Sequence, residues 1–273
     1  LVEHPDWIGD LNINSISLFM QYASVPRENC IYKNFNKLLP GHFVTISDLG
    51  KKISKPERYW NINYNISNTE TPSFNNAKEN LKFLLNDSIK KQMIADVPVG
   101  CFLSGGIDSS LVTSIMQANS IKPIKTFTIG FDEKKYNEAE FAKRISRHLK
   151  TDHTELYLES SKVLNFIPDI PHIWDEPLAD SSQIPTFLVS KLAKEKVKVS
   201  LSGDGGDEIF CGYNRYVRGF DAWSKLNYLP QIIQIILASI INSVPNNIYK
   251  FLDNSLKTNY RELLPKLSRV MNS

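Results

Sequence analysis

The stretch DVPVGCFLSGGIDSS, Asp96 to Ser110, decides the fold. Val97, Val99, Cys101, Phe102 and Leu103 form an apolar, β-branched run of the kind that fills a parallel sheet. Ser104-Gly105-Gly106 follows at once and reads as a turn. An amphipathic run then opens on Asp108 and Ser109, with Leu111/Ile115 and Val112/Met116 paired at i,i+4. Strand, glycine turn and helix start together suit a phosphate. Glycine lets the backbone approach the anion, N–H groups at the helix start point at it, and the macrodipole favours its charge. The same letters also fit an ordinary βα turn with a helix cap. Two adjacent glycines flanked by Ser104, Asp108 and Ser109 favour the nucleotide site. The chain has no GxxxxGK[ST] match, so the kinase and GTPase loop is excluded.

The 273 residues can hold one large domain or two. Thirty-two basic against 29 acidic residues leave a net charge of +3, too balanced to argue for nucleic acid or an anionic membrane. Cys30, Cys101 and Cys211 are widely spaced and form no CxxC, so they read as free thiols in a reducing compartment. His4, His42, His148, His153 and His172 do not cluster at metal-ligand spacing. The most apolar stretch, Ile232 to Ile241, falls short of the roughly 20 residues of a membrane span and reads as a buried helix. A cytoplasmic protein is expected. A chain that starts on Leu1 rather than Met is expected to be a piece of something longer.

Upstream of the opening stretch, residues 1–60 read as β-rich. Ile16 to Tyr22 suits a short helix, and His42 to Ile46 alternates as a strand after the turn Leu39-Pro40-Gly41. Asp48-Leu49-Gly50 suits a hairpin turn. The segment is too small for a complete core and reads as the end of a domain. Residues 61–75, NINYNISNTETPSFN, have the composition of an exposed linker. Ala77 to Ala95 reads as a helix, with Ala77, Leu81, Leu85, Ile89 and Met93 on one stripe.

Downstream the pattern alternates. Ile124 to Phe131 is a strand. Glu138 to Leu149 is a helix, with Phe141, Ile145 and Leu149 at i,i+4. Thr154 to Leu158 is a strand, Ser182 to Lys196 a helix, and Val197 to Leu201 a strand. Repeated βα units predict a doubly wound, mainly parallel α/β sheet with ligands at the C-terminal strand ends. From Gly219 on only helical patterns occur, at Leu229–Val244, Asn246–Leu252 and Tyr260–Met271.

After the last of these strands comes SGDGGDEIFCGYNRY, Ser202 to Tyr216, a second glycine turn. Asp204, Asp207 and Glu208 put three acids where a sheet delivers its ligands. One carboxylate at a helix start is ordinary. Three beside a phosphate repel it unless a cation intervenes, and Mg²⁺ takes one or two carboxylates plus phosphate oxygens. The two turns are therefore expected to form one site.

SGGIDSS after an apolar strand resembles the PP-loop of ATP pyrophosphatases. SGDGGDEIFCGYNRY, with WDEPLADSSQIPTFLVS (Trp174 to Ser190) and YNEAEFAKRISRHLKTDHTEL (Tyr136 to Leu156), is similar to glutamine-hydrolysing asparagine synthetases. YASVPRENCIYKNFNKLLPGHFVTI (Tyr22 to Ile46) resembles the last part of that family's glutaminase domain, of the N-terminal-nucleophile type. The resemblance implies three regions: 1–60 as a glutaminase remnant, 61–75 as linker, and 76–273 as a synthetase domain incomplete at its C-terminus. The family's glutaminase starts on a cysteine nucleophile, which this chain does not have at Leu1. Cys30 lies in a loop and does not stand in for it.

The resemblance further implies that ATP adenylates the side-chain carboxylate of aspartate, releasing pyrophosphate, and that ammonia then displaces AMP to give asparagine. On that footing Ser104, Gly105, Gly106 and Ser109 hold pyrophosphate. Asp108 and Asp207 bind Mg²⁺, with Glu138 near the metal. Phe102, Leu103 and Ile129 line the adenosine end, and Ser202 and Gly203 approach ATP from the second turn. Asp204 and Glu208 are the catalytic candidates. Some relatives carry Glu where Asp204 stands, one methylene longer, which leaves its proton-transfer role open. Tyr213, Arg215, Asp175 and Glu176 have substrate contact and plain packing or ion pairing both open to them, and Trp174 reads as core. The family's late adenylation lysine lies further along the synthetase domain, and this sequence is expected to end too early to place it. Three other readings stay open: a relative acting on another carboxylate, such as a sugar acid or a β-amino acid; a nucleotide-binding remnant without turnover; and a nucleic-acid-modifying PP-loop enzyme, which would show a basic patch and extra cysteine pairs. Partners expected are the glutaminase domain of the full-length chain and a second copy in a homodimer, with no nucleic acid and no membrane.

Overall fold

The computed structural model describes residues 4–5, 7, 9–62, 72–132, 137–159, 163–226 and 228–244. They fall into two compact units, Leu1–Ser202 and Gly203–Ser273.

The first unit opens on helix α1, Ile13–Tyr22. The Asn12 side chain accepts from the N–H groups of Asn14 (3.1 Å) and Ser15 (3.4 Å), which satisfies two of the donors a helix start leaves open. Val25, Cys30 and Ile31 are buried, with Ile16, Phe19, Tyr32 and Phe35 packed against them. Trp7 adds its ring, centred 4.6 Å from Tyr32 and 5.2 Å from Phe35. This segment thus has a small core of its own, beyond what its length suggested. The expected strand His42–Ile46 is two short strands instead. β1 (His42–Phe43) pairs antiparallel with β4 (Glu57–Arg58), and β2 (Ile46–Ser47) with β3 (Lys52–Ile53) across the turn Asp48–Gly50.

Helix α2 spans Phe74–Gln92, capped by Ser73, whose hydroxyl accepts from Asn76 N–H at 3.3 Å. Then β5 (Val99–Phe102), α3 (Ile107–Ala118), β6 (Lys125–Phe131), α4 (Ala139–Leu149) and β7 (Asp152–Leu158) alternate as the sequence pattern requires. A 3₁₀ stretch, Leu164–Asp169, and one short turn of helix, Ile170–Ile173, lead to the helix Gln183–Lys194 and the strand β8, Val199–Leu201. The four strands form one parallel sheet in the order β7-β6-β5-β8.

Helices cover both faces, so the sheet is doubly wound. On one face Cys101 packs with Ile89 of α2, Met116 of α3 and Ile124. On the other, Phe127 packs with Ala193 and Val197, and Phe102, Val189 and Leu192 close around them. Phe127 is wholly buried, worth roughly 1.5–3 kcal/mol by transfer. Its ring occupies the space a side chain on Gly100 would fill, since a Cβ there would lie 2.7 Å from Phe127 Cε2.

One expected stripe is displaced. On α4 the buried residues are Ala139, Ala142 and Ser146, while Phe141 is 58% exposed. Small side chains let α4 come close to the glycine turn and to the sheet, and a ring at those positions would hold it off. Leu111, paired with Ile115 by spacing, is exposed as well, whereas Val112, Ile115 and Met116 reach the core.

The second unit is helical where described: one turn at Gly206–Ile209, then Asn214–Leu226 and Gln231–Ser243. Asn214–Leu226 starts inside a block read for its chemistry rather than its periodicity. The helices expected at 246–252 and 260–271 lie outside the described residues. Among the described residues no helix is long and apolar enough to cross a membrane.

Candidate functional site

The connections order the site. β5 is followed by β6 and β7 on one side, and the chain then returns to place β8 on the other, making β5/β8 the point where strand order reverses. Cys101 lies opposite Leu201 in the β5/β8 register. Ser202 therefore leaves the sheet beside Phe102.

At that end of β5, Leu103 keeps the strand hydrogen-bonded one position further, its N–H donating to Phe127 O at 2.9 Å. The buried Thr128 hydroxyl donates to Leu103 O. The chain then turns through Ser104 and Gly105. Gly105 has φ +86°, and a Cβ there would stand 2.6 Å from Phe141 Cβ and 2.8 Å from Ala142 N, so the turn rests directly on α4. Gly106 is the N-cap of α3, and no side chain caps that helix. The N–H groups of its first turn have no intrahelical acceptor. The turn is braced by hydroxyls: Ser104 Oγ and Ser109 Oγ lie 2.9 Å apart, Gly106 N–H donates to Ser104 Oγ at 3.2 Å, and Ser110 Oγ donates to Gly106 O at 2.5 Å. Ser109 is buried, Asp108 half-buried and Ser104 exposed. Inside the turn the N–H groups of Ser104 and Gly106 donate to Ser109 Oγ and Ser104 Oγ, so it is the first turn of α3, at the positive end of the helix, that offers the electrostatics favourable to an anion.

A cavity of about 210 Å³ opens beside this turn, lined by Phe102, Leu103, Ser104, Ile129, Phe131 and Glu138, among others. It is apolar except where Ser104, Thr128, Glu138 and Thr186 edge it, which suits a flat ring system with a polar group at its rim. Five residues singled out from sequence line it together: Phe102, Leu103 and Ile129, expected at the adenosine end, Ser104, expected at the pyrophosphate, and Glu138, expected near the metal. Pro185, Thr186 and Val189 of the helix Gln183–Lys194 form the far wall and were not singled out by sequence. All three lie in the block Trp174 to Ser190, so they were within the signal, but nothing local marks them as facing the sheet. Beneath the turn, burial pushes the Cys101 thiol up to about 11, so it packs as an inert group.

The second turn divides at the boundary of the two units. Ser202 ends the first, and Gly203, Asp204, Asp207 and Glu208 belong to the second. Within the second unit Gly205 has φ +89° and leads into the single turn Gly206–Ile209. Asp207 is half-buried, and its carbonyl accepts from Gly212 N–H at 2.9 Å. Asp204 and Glu208 are exposed, and Glu208 Oε1 accepts from the Tyr213 hydroxyl at 2.7 Å. Tyr213 and Tyr216 meet edge to face at 5.5 Å. Among the described residues no three His, Cys, Asp or Glu side chains form a ready-made metal cage. Trp174, Asp175 and Glu176 lie elsewhere, against residues 24–37.

The family model for asparagine synthase matches residues 80–272, which covers both glycine turns. The chain belongs to the asparagine synthase family. It is 35% identical over 208 residues to asparagine synthetase [glutamine-hydrolyzing] 1 of Bacillus subtilis, spanning 76% of this chain and 32% of that protein. Over 231 residues it is 36% identical to a protein of Methanocaldococcus jannaschii whose name assigns the same activity provisionally, spanning 83% of this chain and 43% of that one. The human asparagine synthetase [glutamine-hydrolyzing] is 30% identical over 147 residues, half of this chain and 26% of its own length. The chain thus spans less than half the length of these asparagine synthase relatives. A solved NH3-dependent NAD synthetase from Campylobacter jejuni overlaps at a TM-score of 0.39 with 15% identity, over 71% of this chain and 91% of that one. So loose an overlap adds nothing to the assignment.

Proposed function

We propose that this chain carries the adenylating half of an ATP-dependent amide-forming ligase of the PP-loop type, acting on the side-chain carboxylate of aspartate. One observation carries the reading. An apolar cavity at the C-terminal edge of a parallel sheet, walled by Phe102, Leu103 and Ile129, opens at Ser104, the first residue of the turn that leads into the uncapped α3.

On this reading the base of ATP enters the cavity and its β- and γ-phosphates accept hydrogen bonds from Ser104, Gly105, Gly106 and Ser109. A carboxylate oxygen of aspartate attacks the α-phosphorus, the bond from that phosphorus to the bridging oxygen breaks, and pyrophosphate leaves. Ammonia then attacks the acyl carbon, AMP leaves with its oxygen, and the nitrogen loses a proton to give the amide. Adenylation makes a poor electrophile reactive by giving its oxygen a good leaving group. The remaining work is positioning and charge neutralisation, which oriented N–H and O–H donors supply. Asp108 and Asp207 are the carboxylates we assign to Mg²⁺, and Glu138, on the wall of the cavity, is the further acidic candidate. The ion, when bound, offsets the phosphate charge. Ser202 and Gly203 approach ATP from the second turn. Asp204 and Glu208 are assigned to proton transfer, Glu208 sharing its carboxylate with the Tyr213 hydroxyl. Residues 1–60 are the tail of a glutaminase domain that supplies ammonia from glutamine in the full-length protein, residues 61–75 the linker, and residues 76–273 the synthetase domain.

The test is exchange of labelled pyrophosphate into ATP, with Mg²⁺ and with aspartate, other carboxylates or no acid. Exchange that depends on aspartate is the expected result, and it is lost in Asp108→Asn while the circular dichroism spectrum is unchanged. Exchange driven by a different acid reassigns the substrate. Nucleotide binding without exchange under any acid refutes turnover by this chain.

A further inference from the structure

Glu176 has no part in the chemistry above, yet both its carboxylate oxygens are held by residues far away in the sequence. Its Oε1 accepts from Ile31 N–H at 2.8 Å, and its Oε2 accepts from Lys37 Nζ at 2.7 Å. Lys37 Nζ also donates to Val25 O at 2.5 Å. Three residues on from Glu176, Ala179 N–H donates to Ala23 O at 2.8 Å. Burial opposes ionisation of Glu176, but the bonds from Lys37 and Ile31 outweigh it and leave the carboxyl below its usual range. The segment after Trp174 is therefore pinned to the N-terminal segment at two points, beside a cavity of about 630 Å³ that both line.

That segment continues straight into the start of the helix Gln183–Lys194. Ser182, at its N-cap, makes no side-chain capping bond. The helix start is held instead from behind: Gln183 Nε2 donates to Leu178 O at 2.9 Å, and Ser182 N–H donates to Asp180 Oδ1 at 2.8 Å. Pro185, Thr186 and Val189 on the first turns of this helix form the far wall of the nucleotide cavity. A continuous run of contacts thus leads from Lys37 and Ile31, through Glu176 and residues 176–183, to that wall.

We propose that Glu176 is a positioning residue that couples the N-terminal segment to the nucleotide cavity by fixing where the helix Gln183–Lys194 begins. An isolated exposed ion pair would not do this, because such pairs contribute little. Glu176 differs in taking a backbone N–H and a partly buried ammonium on its two oxygens, a charge-assisted pairing with defined geometry. The functional half of the proposal rests on the nucleotide reading given above. The mechanical half does not.

The test uses the whole 273-residue chain, with Glu176→Gln, Lys37→Met and the conservative Lys37→Arg. Hydrogen exchange by mass spectrometry reports on residues 174–190, with α2 as internal reference, and calorimetry reports the affinity for Mg·ATP. Glu176→Gln and Lys37→Met are expected to speed exchange at 174–190 by about tenfold, leave α2 unchanged, and weaken Mg·ATP by about tenfold, in the usual range of coupling between sites. Lys37→Arg is expected to match the wild type within about twofold. Unchanged protection at 174–190 overturns the proposal, as does a loss spread evenly over α2. If Glu176→Gln does not fold, Lys37→Met, which keeps the bond from Ile31, decides by the same criteria. Should the wild type bind no Mg·ATP, the nucleotide reading fails by itself, and exchange at 174–190 alone upholds or overturns the positioning role.

Discussion

Replacing Gly105 by alanine tests whether the glycine turn before α3 is built by close packing against α4 or merely by a permissive backbone. Two costs add. An L-residue at φ +86° costs roughly 1–2 kcal/mol. The new Cβ would stand 2.6 Å from Phe141 Cβ, 2.8 Å from Ala142 N and 3.0 Å from Phe141 C. Two of those three atoms are backbone of a helix whose Ala139, Ala142 and Ser146 are buried against the sheet, so no side-chain rotation relieves the clash. Overpacking of this kind costs about 1–3 kcal/mol more. Gly105→Ala should therefore destabilise the fold by about 2–5 kcal/mol. Two controls separate the contributions. Gly205 has φ +89° with nothing within 4 Å of its Cβ position, so Gly205→Ala should cost only about 1–2 kcal/mol. Gly106 has φ −69°, ψ 165°, and its Cβ would meet only Ser104 Oγ at 3.3 Å, so Gly106→Ala should change stability by less than about 1 kcal/mol. Urea denaturation followed by tryptophan fluorescence, with midpoints converted at a common slope, measures all three. If Gly105→Ala costs no more than Gly205→Ala, α4 does not press on the turn and the packing account fails.

Three other outcomes follow from the same contacts. Thr128→Val keeps the shape but strips the hydroxyl that donates to Leu103 O in a position 3% exposed, and should lower stability by about 1–3 kcal/mol in the same urea assay; a change under 0.5 kcal/mol, about the scatter of neutral surface substitutions, would sink it. Acid should weaken the sheet in two stages. Burial holds His153 below its ordinary value of 6.5 despite Glu155 Oε1 at 3.7 Å, so its contribution is whole above pH 6.5 and declines as pH falls through it. Glu155 is itself held below 4.5, because bonds from Tyr157 and Lys143 outweigh its burial, and its contribution declines only as pH falls below that value. The urea midpoint of His153→Gln should therefore lose its dependence between pH 8 and 5.5 but keep the lower stage; an unaltered slope would show that another group titrates there. For the thiols, Cys211 is exposed while Cys30 and Cys101 are buried with pKa values pushed up by burial. One equivalent of native protein should react rapidly with Ellman's reagent at pH 8, and Cys211→Ser should abolish that phase; a second thiol reacting at the same rate would contradict the burial of the core.

The order of elements was legible in the sequence because it depends on local chemistry. β-branched runs of strand length, glycines at the turns and i,i+4 pairs on the helices are each set by neighbours a few residues away. Together they require a parallel, doubly wound sheet. The glycine turn was legible as a turn for the same reason: Ser104, Gly106 and Ser109 hydrogen-bond one another within six residues. Three things were decided only in the folded chain. Periodicity put Phe141 in the core of α4, but the helix buries Ala139, Ala142 and Ser146 instead, with Gly105 close against Ala142 N and Gly130 close against Ala139 Cβ. The far wall of the cavity, Pro185, Thr186 and Val189, depends on how the helix Gln183–Lys194 lies on β6. Glu176 finds its partners in Ile31 and Lys37, 145 and 139 residues away. Each rests on contacts between segments distant in sequence, whose fit is set by side-chain volume and by which backbone donors remain unpaired. No local pattern encodes either one.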